Sequence, residues 1–163
     1  MIEMLPRPSL LLDPARVLLD LDMRSKKRVF EEVGLAFENS GGPARNDVFR
    51  HLLERERLGS TLIADGVALP HARIAGLNKP ISVFVRMAAA FPFDSPEAQA
   101  KLLFVTLVPD KADASHLQIL SIMSRMLTDA ELVAELEKAP DAEALIVTLQ
   151  AWEVRSLDKA LRP

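Results

Sequence analysis

Two kinds of hydrophobic pattern divide the chain into three parts. In the first and last parts, apolar residues recur every three or four positions, which predicts amphipathic helices. The first clear helix has an N-cap at Ser25 and runs to about Asn39, and a second runs from Asn46 to about Leu58. Beyond the central part, the same spacing predicts three more helices, at residues 116–127 (capped by Ser115), 129–137 and 141–152.

The central part shows the alternation and the short apolar runs of β-strands. Residues 81–87 are predicted as a strand with Ile81 and Val83 on one face and Phe84 on the other. Residues 101–108 are almost all apolar, which predicts a central strand covered on both faces. Shorter strands are predicted at residues 17–21, 62–63 and 67–69. Residues 91–96 are predicted as a proline-punctuated loop that has room for one more short strand.

Helices, then strands, then helices again predict a layered α/β fold. The length of 163 residues fits a single domain spanning 1–163 with a proper core. At the two ends, residues 1–9 are predicted to be irregular, and residues 153–163 are polar enough to fray.

Composition narrows the class of protein. The formal net charge is −3 and the pI about 5.6, so no global field favours nucleic acid or an anionic membrane. The absence of cysteine excludes disulfides, thiolate metal sites and a cysteine nucleophile. No signal peptide stands at the start, and no apolar run approaches the roughly 20 residues of a membrane span. The chain is therefore predicted to be cytoplasmic.

The candidate chemistry centres on the stretch Gly66-Val67-Ala68-Leu69-Pro70-His71-Ala72-Arg73. Pro70 cannot donate to a sheet ladder, so it is predicted to end the short strand and to place His71 at the mouth of the sheet. Histidine accepts and passes on protons or phosphoryl groups near neutral pH. Ser60, Thr61 and Arg73 add hydroxyl and guanidinium groups of the kind that bind phosphate oxygens.

The two other histidines differ in how well their predicted positions suit a functional role. His116 is predicted in the first turn of a helix that follows a central strand, where open α/β sheets bind ligands. His51 lies mid-helix among charged residues and is predicted to be solvated. A metal site would need His71 and His116 together with a third ligand from Asp65, Asp94 or Asp113, but no zinc-binding spacing appears. No P-loop, dinucleotide fingerprint or nucleophile elbow is present either.

Three motifs together resemble the enzyme IIA domains of the phosphotransferase system. They are Ser25-Lys26-Lys27-Arg28, Glu54-Arg55-Glu56-Arg57-Leu58-Gly59-Ser60-Thr61 and the segment ending in Leu69-Pro70-His71. A further block combines residues 103–109 with His116-Leu117-Gln118-Ile119-Leu120. The resemblance is to the fructose/mannitol class, and more closely to its nitrogen-regulatory branch. It covers about residues 8–152, which is taken as the core of the domain.

The resemblance implies a mixed β-sheet flanked by helices on both faces, and a phosphotransferase that needs no cofactor and no metal. It further implies that His71 accepts the phosphoryl group and that His116 stabilises the phosphate. Arg55 matches a family contact, and Ser60 and Thr61 border the same pocket. The donor would be an HPr-like phosphocarrier protein. Regulated targets in such relatives include potassium transporters and sensor kinases.

Three alternatives remain open from the sequence. The chain could be a fructose/mannitol-type sugar-transport IIA component, or a regulatory binding protein that acts without phosphorylation. A metal-dependent hydrolase using His71 and His116 is the third.

Leu69, Ala72 and Ile74 are predicted as a docking surface for a small carrier.

Overall fold

The computed structural model describes the backbone of residues 6–160 and the side chains of residues 6–157. Two 3₁₀ turns, Pro8–Leu11 and Pro14–Arg16, precede the first strand. The strands are β1 (Val17–Leu21), β2 (Leu62–Ala64), β3 (Gly66–Ala68), β4 (His71–Ile74), β5 (Ile81–Ser95) and β6 (Ala98–Pro109). The helices are α1 (Lys26–Asn39), α2 (Arg45–Arg57), α3 (Ala114–Leu127), α4 (Ala130–Lys138) and α5 (Ala142–Ala160).

The six strands form one mixed sheet in the order β1-β5-β6-β3-β2, with β4 also paired to β6. β5 and β6 are antiparallel, with Val83 opposite Val105 and Phe84 opposite Phe104. β1 is parallel to β5, while β3 and β4 are both parallel to β6. The long β5–β6 pair is therefore the spine of the sheet, and β6 is the strand against which the histidine segment lies.

Helices cover both faces of this sheet, as the resemblance implies. Val83 and Val105 pack with the buried residues of α1 and α2, such as Phe30. Phe84 and Phe104, which point the other way, pack with α3, α4 and α5 in a separate cluster. Alternation along β5 and β6 thus builds one core on each face, and the predicted strand faces are confirmed.

The predicted loop at residues 91–96 is wrong for most of its length, and the strand considered there is not a separate one, because β5 continues to Ser95. Phe91 and Phe93 are buried, with exposed fractions of 1% and 4%, while Pro92 between them is exposed. The alternation of a strand therefore continues through the proline, and Pro92 pairs opposite Gln99 after a register shift. A proline is tolerated at such an irregular point of a sheet.

The predicted fraying of residues 153–163 is wrong at its start, because α5 continues to Ala160. Glu153 is fully buried and its carboxylate accepts hydrogen bonds from the amide and the hydroxyl of Ser9, at 2.8 and 2.6 Å. Leu157 is also buried. Ser9, predicted as irregular, lies in the first 3₁₀ turn, and residues 1–5 and 161–163 lie outside the described residues.

Two helix starts differ from the predicted residues. The N-cap of α2 is Ala44 rather than Asn46, and no side chain caps it. The N-cap of α3 is Asp113 rather than Ser115, because the Asp113 carboxylate accepts from the amides of Ser115 and His116. The predicted cap at Ser25 is confirmed, since its hydroxyl accepts from the amide of Arg28. Within residues 6–160, none of the helices has the length and apolar character needed to cross a bilayer.

Candidate functional site: a histidine groove between two helices

His71 is the first residue of β4, the second of two short strands that pair with β6. β3 pairs with Ala100 to Leu103, and β4 pairs with Thr106 to Pro109, so the two strands lie end to end along β6. Pro70 interrupts the ladder between them, and its carbonyl accepts from the amide of Thr106 at 3.0 Å. The proline therefore breaks the strand, as predicted, but His71 begins a new strand instead of lying at the mouth of the sheet.

The His71 ring is held in one tautomer by its own backbone. Its Nδ1 is 2.9 Å from the carbonyl oxygen of Leu69. A carbonyl oxygen can only accept, so Nδ1 carries the proton of the neutral ring and Nε2 keeps its lone pair. Burial lowers the pKa of His71; the Leu69 bond opposes that shift and the nearby charge of Arg55 adds to it. The neutral, nucleophilic form is thereby favoured near neutral pH.

A groove of about 790 Å³ opens in front of this histidine. Its walls come from the end of α2, from β4, from the end of β6 and from the first turns of α3. The lining residues, called here the His71 groove, are His51, Glu54, Arg55, Leu58, His71, Ala72, Arg73, Val108, Leu117 and Leu120. Of the predicted site residues, the structure brings His71 and Arg55 together here, along with Arg73.

Arg55 is fixed by the turn that follows its own helix. Its Nη1 donates to the carbonyl of Gly59 at 2.9 Å, across the last turn of α2. Its charge acts on the His71 ring, where it helps to lower the pKa. A guanidinium held beside a nucleophilic nitrogen is suited to binding the oxygens of an incoming phosphoryl group.

His51 is a groove residue that the sequence analysis did not select. It lies one turn before Arg55 on α2, and residues four apart on a helix share a face. Its Nδ1 is 2.7 Å from the carbonyl oxygen of Asp47, which can only accept. In the neutral ring the proton therefore lies on Nδ1, and Nε2 carries the lone pair. The prediction of a solvated residue holds in part, since His51 is half-buried. The i to i+4 spacing from Arg55 was the signal that could have found it.

Ser60 and Thr61 do not line the groove. The hydroxyl of Ser60 donates to Asp94, and the hydroxyl of Thr61 donates to Glu56, in both cases at short range. Lys26 forms ion pairs with both carboxylates, because its Nζ lies 3.0 Å from Asp94 and 3.6 Å from Glu56. In this arrangement both hydroxyls are committed to carboxylates and brace the segment after α2.

His116 stands beside the groove but not in its lining. It occupies the first turn of α3, and its Nδ1 is 3.5 Å from the amide of Asp113, which donates to it. The same Nδ1 lies 3.3 Å from a carboxylate oxygen of Asp113, so Nε2 is the ring nitrogen that faces away from the cap. Leu117 and Leu120 of the same helix line the groove instead.

The predicted docking surface is wrong, because its three residues are buried. The exposed fractions of Leu69, Ala72 and Ile74 are 5%, 6% and 4%. Alternation along β4 sends Ala72 and Ile74 into the core and leaves His71 and Arg73 on the outer face. The accessible apolar surface is instead Leu58, which is 85% exposed, with half-buried Leu117 and Leu120 across the groove.

The carboxylates considered for a metal site do not assemble one. Asp94 belongs to the Lys26 and Ser60 contacts, and Asp113 caps α3. Among the residues that the structure describes, no group of three or more histidine or carboxylate side chains could hold a metal ion.

Comparisons with known proteins agree on one family. The family model described as "Phosphoenolpyruvate-dependent sugar phosphotransferase system, EIIA 2" matches residues 10–152. A nitrogen regulatory protein from Pseudomonas aeruginosa is 40% identical over 138 residues, which are 83% of this chain and 89% of that protein. Another from Bradyrhizobium diazoefficiens is 34% identical over 140 residues, which are 85% and 92%. The crystal structure of nitrogen regulatory protein IIA-Ntr from Neisseria meningitidis superposes with a TM-score of 0.80 at 35% identity, covering 86% of this chain and 97% of that one.

Proposed function

The chain belongs to the EIIA 2 family of the phosphoenolpyruvate-dependent sugar phosphotransferase system, and from this premise we propose that it is a nitrogen-regulatory phosphocarrier that accepts a phosphoryl group on His71. Family membership implies phosphotransferase activity in general. The nitrogen regulatory proteins among its relatives favour the regulatory branch over sugar uptake. The observation that carries the proposal is the fixed tautomer of His71, whose Nε2 lone pair stands in an open groove beside Arg55.

The transfer step balances without a metal, a cofactor or a change in proton count. The Nε2 lone pair of His71 forms a bond to phosphorus, while the phosphorus–nitrogen bond on the donor breaks and its electron pair returns to the donor nitrogen. The Nδ1 proton stays in its hydrogen bond to Leu69 throughout. Such a transfer asks mainly for positioning and for charge stabilisation.

Arg55 and His116 supply that stabilisation in the proposal. The Arg55 guanidinium binds phosphoryl oxygens as the group moves into the groove. In the proposal, Nε2 of His116 carries a proton and donates to the phosphoryl oxygens from the first turn of α3. Ser60 and Thr61 contribute indirectly, because their hydroxyls hold the segment that follows Arg55 in place.

The phosphate donor is an HPr-like carrier that docks on the groove in the cytoplasm. Leu58, Leu117 and Leu120 present apolar surface around His71 for a small protein partner. The phosphoryl group then adds about −1.5 to −2 charges to this surface. A change of that size selects between partners, such as potassium transporters or sensor kinases, without altering the fold.

The test is phosphate transfer from phosphoenolpyruvate through enzyme I and an HPr-like carrier, read by intact mass. We expect one acid-labile phosphate on the wild type and none on His71→Ala. His51→Ala is the matched control, because it removes a second histidine from the same groove and should still accept one phosphate. A wild type that stays unmodified beside a fully charged carrier would overturn the proposal and favour a binding protein that acts without phosphorylation.

A further inference from the structure

His71 and Arg73 share a strand face, and Arg73 also reaches a loop. In β4 these two positions alternate with the buried Ala72 and Ile74, so their Cα atoms lie about 7 Å apart and both side chains leave on one side. The Nη1 of Arg73 donates to the carbonyls of Asp110 and Ala112, both at 3.3 Å. These are the residues that join β6 to α3. One side chain therefore links the histidine strand to that loop.

The link is weak for an arginine. A single nitrogen serves two neutral carbonyls at long distances, where a guanidinium can make short, paired bonds to an anion. Among the residues that the structure describes, the guanidinium of Arg73 has no carboxylate within ion-pair distance. Arg73 also lines the His71 groove, on the same face of β4 as the histidine that would carry a phosphoryl group.

The loop that Arg73 holds determines where α3 begins. Asp113, directly after Ala112, is the N-cap whose carboxylate accepts from the amides of Ser115 and His116. His116 is tied back to Asp113 by its ring nitrogen. Any shift of the 110–112 segment thus carries His116 and the first turn of α3 with it.

We propose that Arg73 couples the phosphorylation state of His71 to the position of the loop before α3. This inference rests on the proposed function. In the unmodified protein, Arg73 tethers the loop through the carbonyls of Asp110 and Ala112. A phosphoryl group on His71 offers a charged, multidentate acceptor to the same guanidinium, and bonds to such an acceptor are about twice as strong as those to a neutral one. Arg73 moves to the phosphoryl group, the loop keeps its Asp110–Ile74 backbone bond but loses its side-chain tether, and His116 approaches His71.

The test compares amide NMR spectra and hydrogen exchange of wild type, Arg73→Gln and Arg57→Gln. Arg57 is the control, because it is exposed on α2 and lies outside the groove lining. Without phosphate, we expect Arg73→Gln to shift the amide signals of residues 110–116 and to speed exchange in residues 110–113 roughly fivefold, as for one lost hydrogen-bonded anchor. The control should match the wild type.

The phosphorylated samples test whether phosphate on His71 frees the loop, after intact mass has verified that each sample carries phosphate. We expect phosphorylation to shift residues 110–116 in the wild type, and to shift them far less in Arg73→Gln, whose loop is already released. Equal shifts in both proteins, or no shift in the wild type, would overturn the inference while leaving the phosphocarrier function intact. A wild type that takes no phosphate would overturn the proposed function instead. If amide exchange in unmodified Arg73→Gln matched that of the wild type, Arg73 would not anchor the loop, and this result alone would overturn the inference.

Discussion

The two walls of the His71 groove are held in very different ways. One wall, here called the α2 wall, is the end of α2 with the segment 55–61, and the other, the α3 wall, is the segment 110–120. In the α2 wall, Arg55 is bonded to Gly59, while Glu56 and Asp94 accept from Thr61, Ser60 and Lys26. The α3 wall is tied to β4 by the two long bonds of Arg73 and by a backbone bond from the Asp110 amide to the Ile74 carbonyl at 3.2 Å, and it carries its own cap at Asp113.

The difference teaches which wall is braced by charged groups and which one is attached by neutral contacts. Ion pairs of Lys26 with Glu56 and Asp94 link α1, α2 and β5, and so they brace the helix end that carries Arg55. The attachment of the start of α3 to β4 is made by neutral, solvent-facing bonds. A cation on a braced helix end, opposite a histidine on a loosely attached one, suits a site that receives a phosphoryl group from one protein and presents it to another.

The largest expected effect comes from removing the fixed cation. In the transfer assay, Arg55→Gln should slow phosphorylation of His71 about 100-fold, as for loss of one preorganised donor, with unchanged thermal stability. Arg57→Gln on the same helix should leave the rate within twofold of the wild type. If Arg55→Gln were equally fast, the α2 wall would have no part in the chemistry.

The next effect is on the bracing of that wall. Glu56 accepts from the amide and hydroxyl of Thr61, and its side chain is only 4% exposed. Glu56→Ala leaves the Thr61 amide and hydroxyl without their acceptor and removes one of the two carboxylates beside Lys26, so we expect the free energy of unfolding in urea to fall by about 2–3 kcal/mol. Glu54→Ala, at an exposed carboxylate of the same helix, should change it by less than about 0.5 kcal/mol. Equal losses would show that Glu56 is an ordinary surface carboxylate.

A smaller, pH-dependent effect is expected at Asp94. Burial raises the pKa of this carboxyl, but hydrogen bonds from Ser60 and Lys26 outweigh it and hold the pKa below its usual 3.8. The stabilisation is therefore fully present above pH 3.8 and is lost as the pH falls through the lower folded value. Asp94→Asn should cost about 0.5–1 kcal/mol at pH 7. Urea titrations should show that the difference in unfolding free energy between wild type and Asp94→Asn shrinks at the acid limit. A difference that grew there would mean that the folded pKa of Asp94 is raised rather than lowered.

The smallest effect on global stability is expected in the α3 wall. Hydrogen bonds from Ser115 and from the amide of His116 lower the pKa of Asp113, which is solvent-exposed. Asp113→Ala should leave the urea midpoint almost unchanged but speed amide exchange at Ser115 and His116, whose acceptor is gone. A large fall in the midpoint would mean that the α3 wall is as rigid as the α2 wall.

Much of the fold could be predicted because it depends on periodicity. The alternation around Phe84 and the apolar run through Phe104 identified the two central strands and their faces. The continuation of β5 past Pro92 was missed because proline usually ends a strand, and only the pairing with Gln99 shows that this one does not. The extension of α5 was missed because a charged residue, Glu153, is buried against a partner 144 positions away.

The site was predicted in part. His71 and Arg55 could be selected from motifs, but nothing local in the sequence says that the hydroxyls of Ser60 and Thr61 face carboxylates. His51 was missed because its place in the groove depends on how α2 packs beside β4. The roles of the five selected residues in transfer stay predictions that the variants above test.

The pairing pattern of the sheet also sets an order in which the chain can fold. β5 and β6 are neighbours in sequence and form an antiparallel hairpin, so their contacts close a short loop and form early. β1, β3 and β4 are parallel to strands already in that hairpin and must wait for longer loops to close. The Ser9–Glu153 contact spans 144 positions, so it belongs to the last stage. His71 thus takes its place only after the scaffold beneath it has formed.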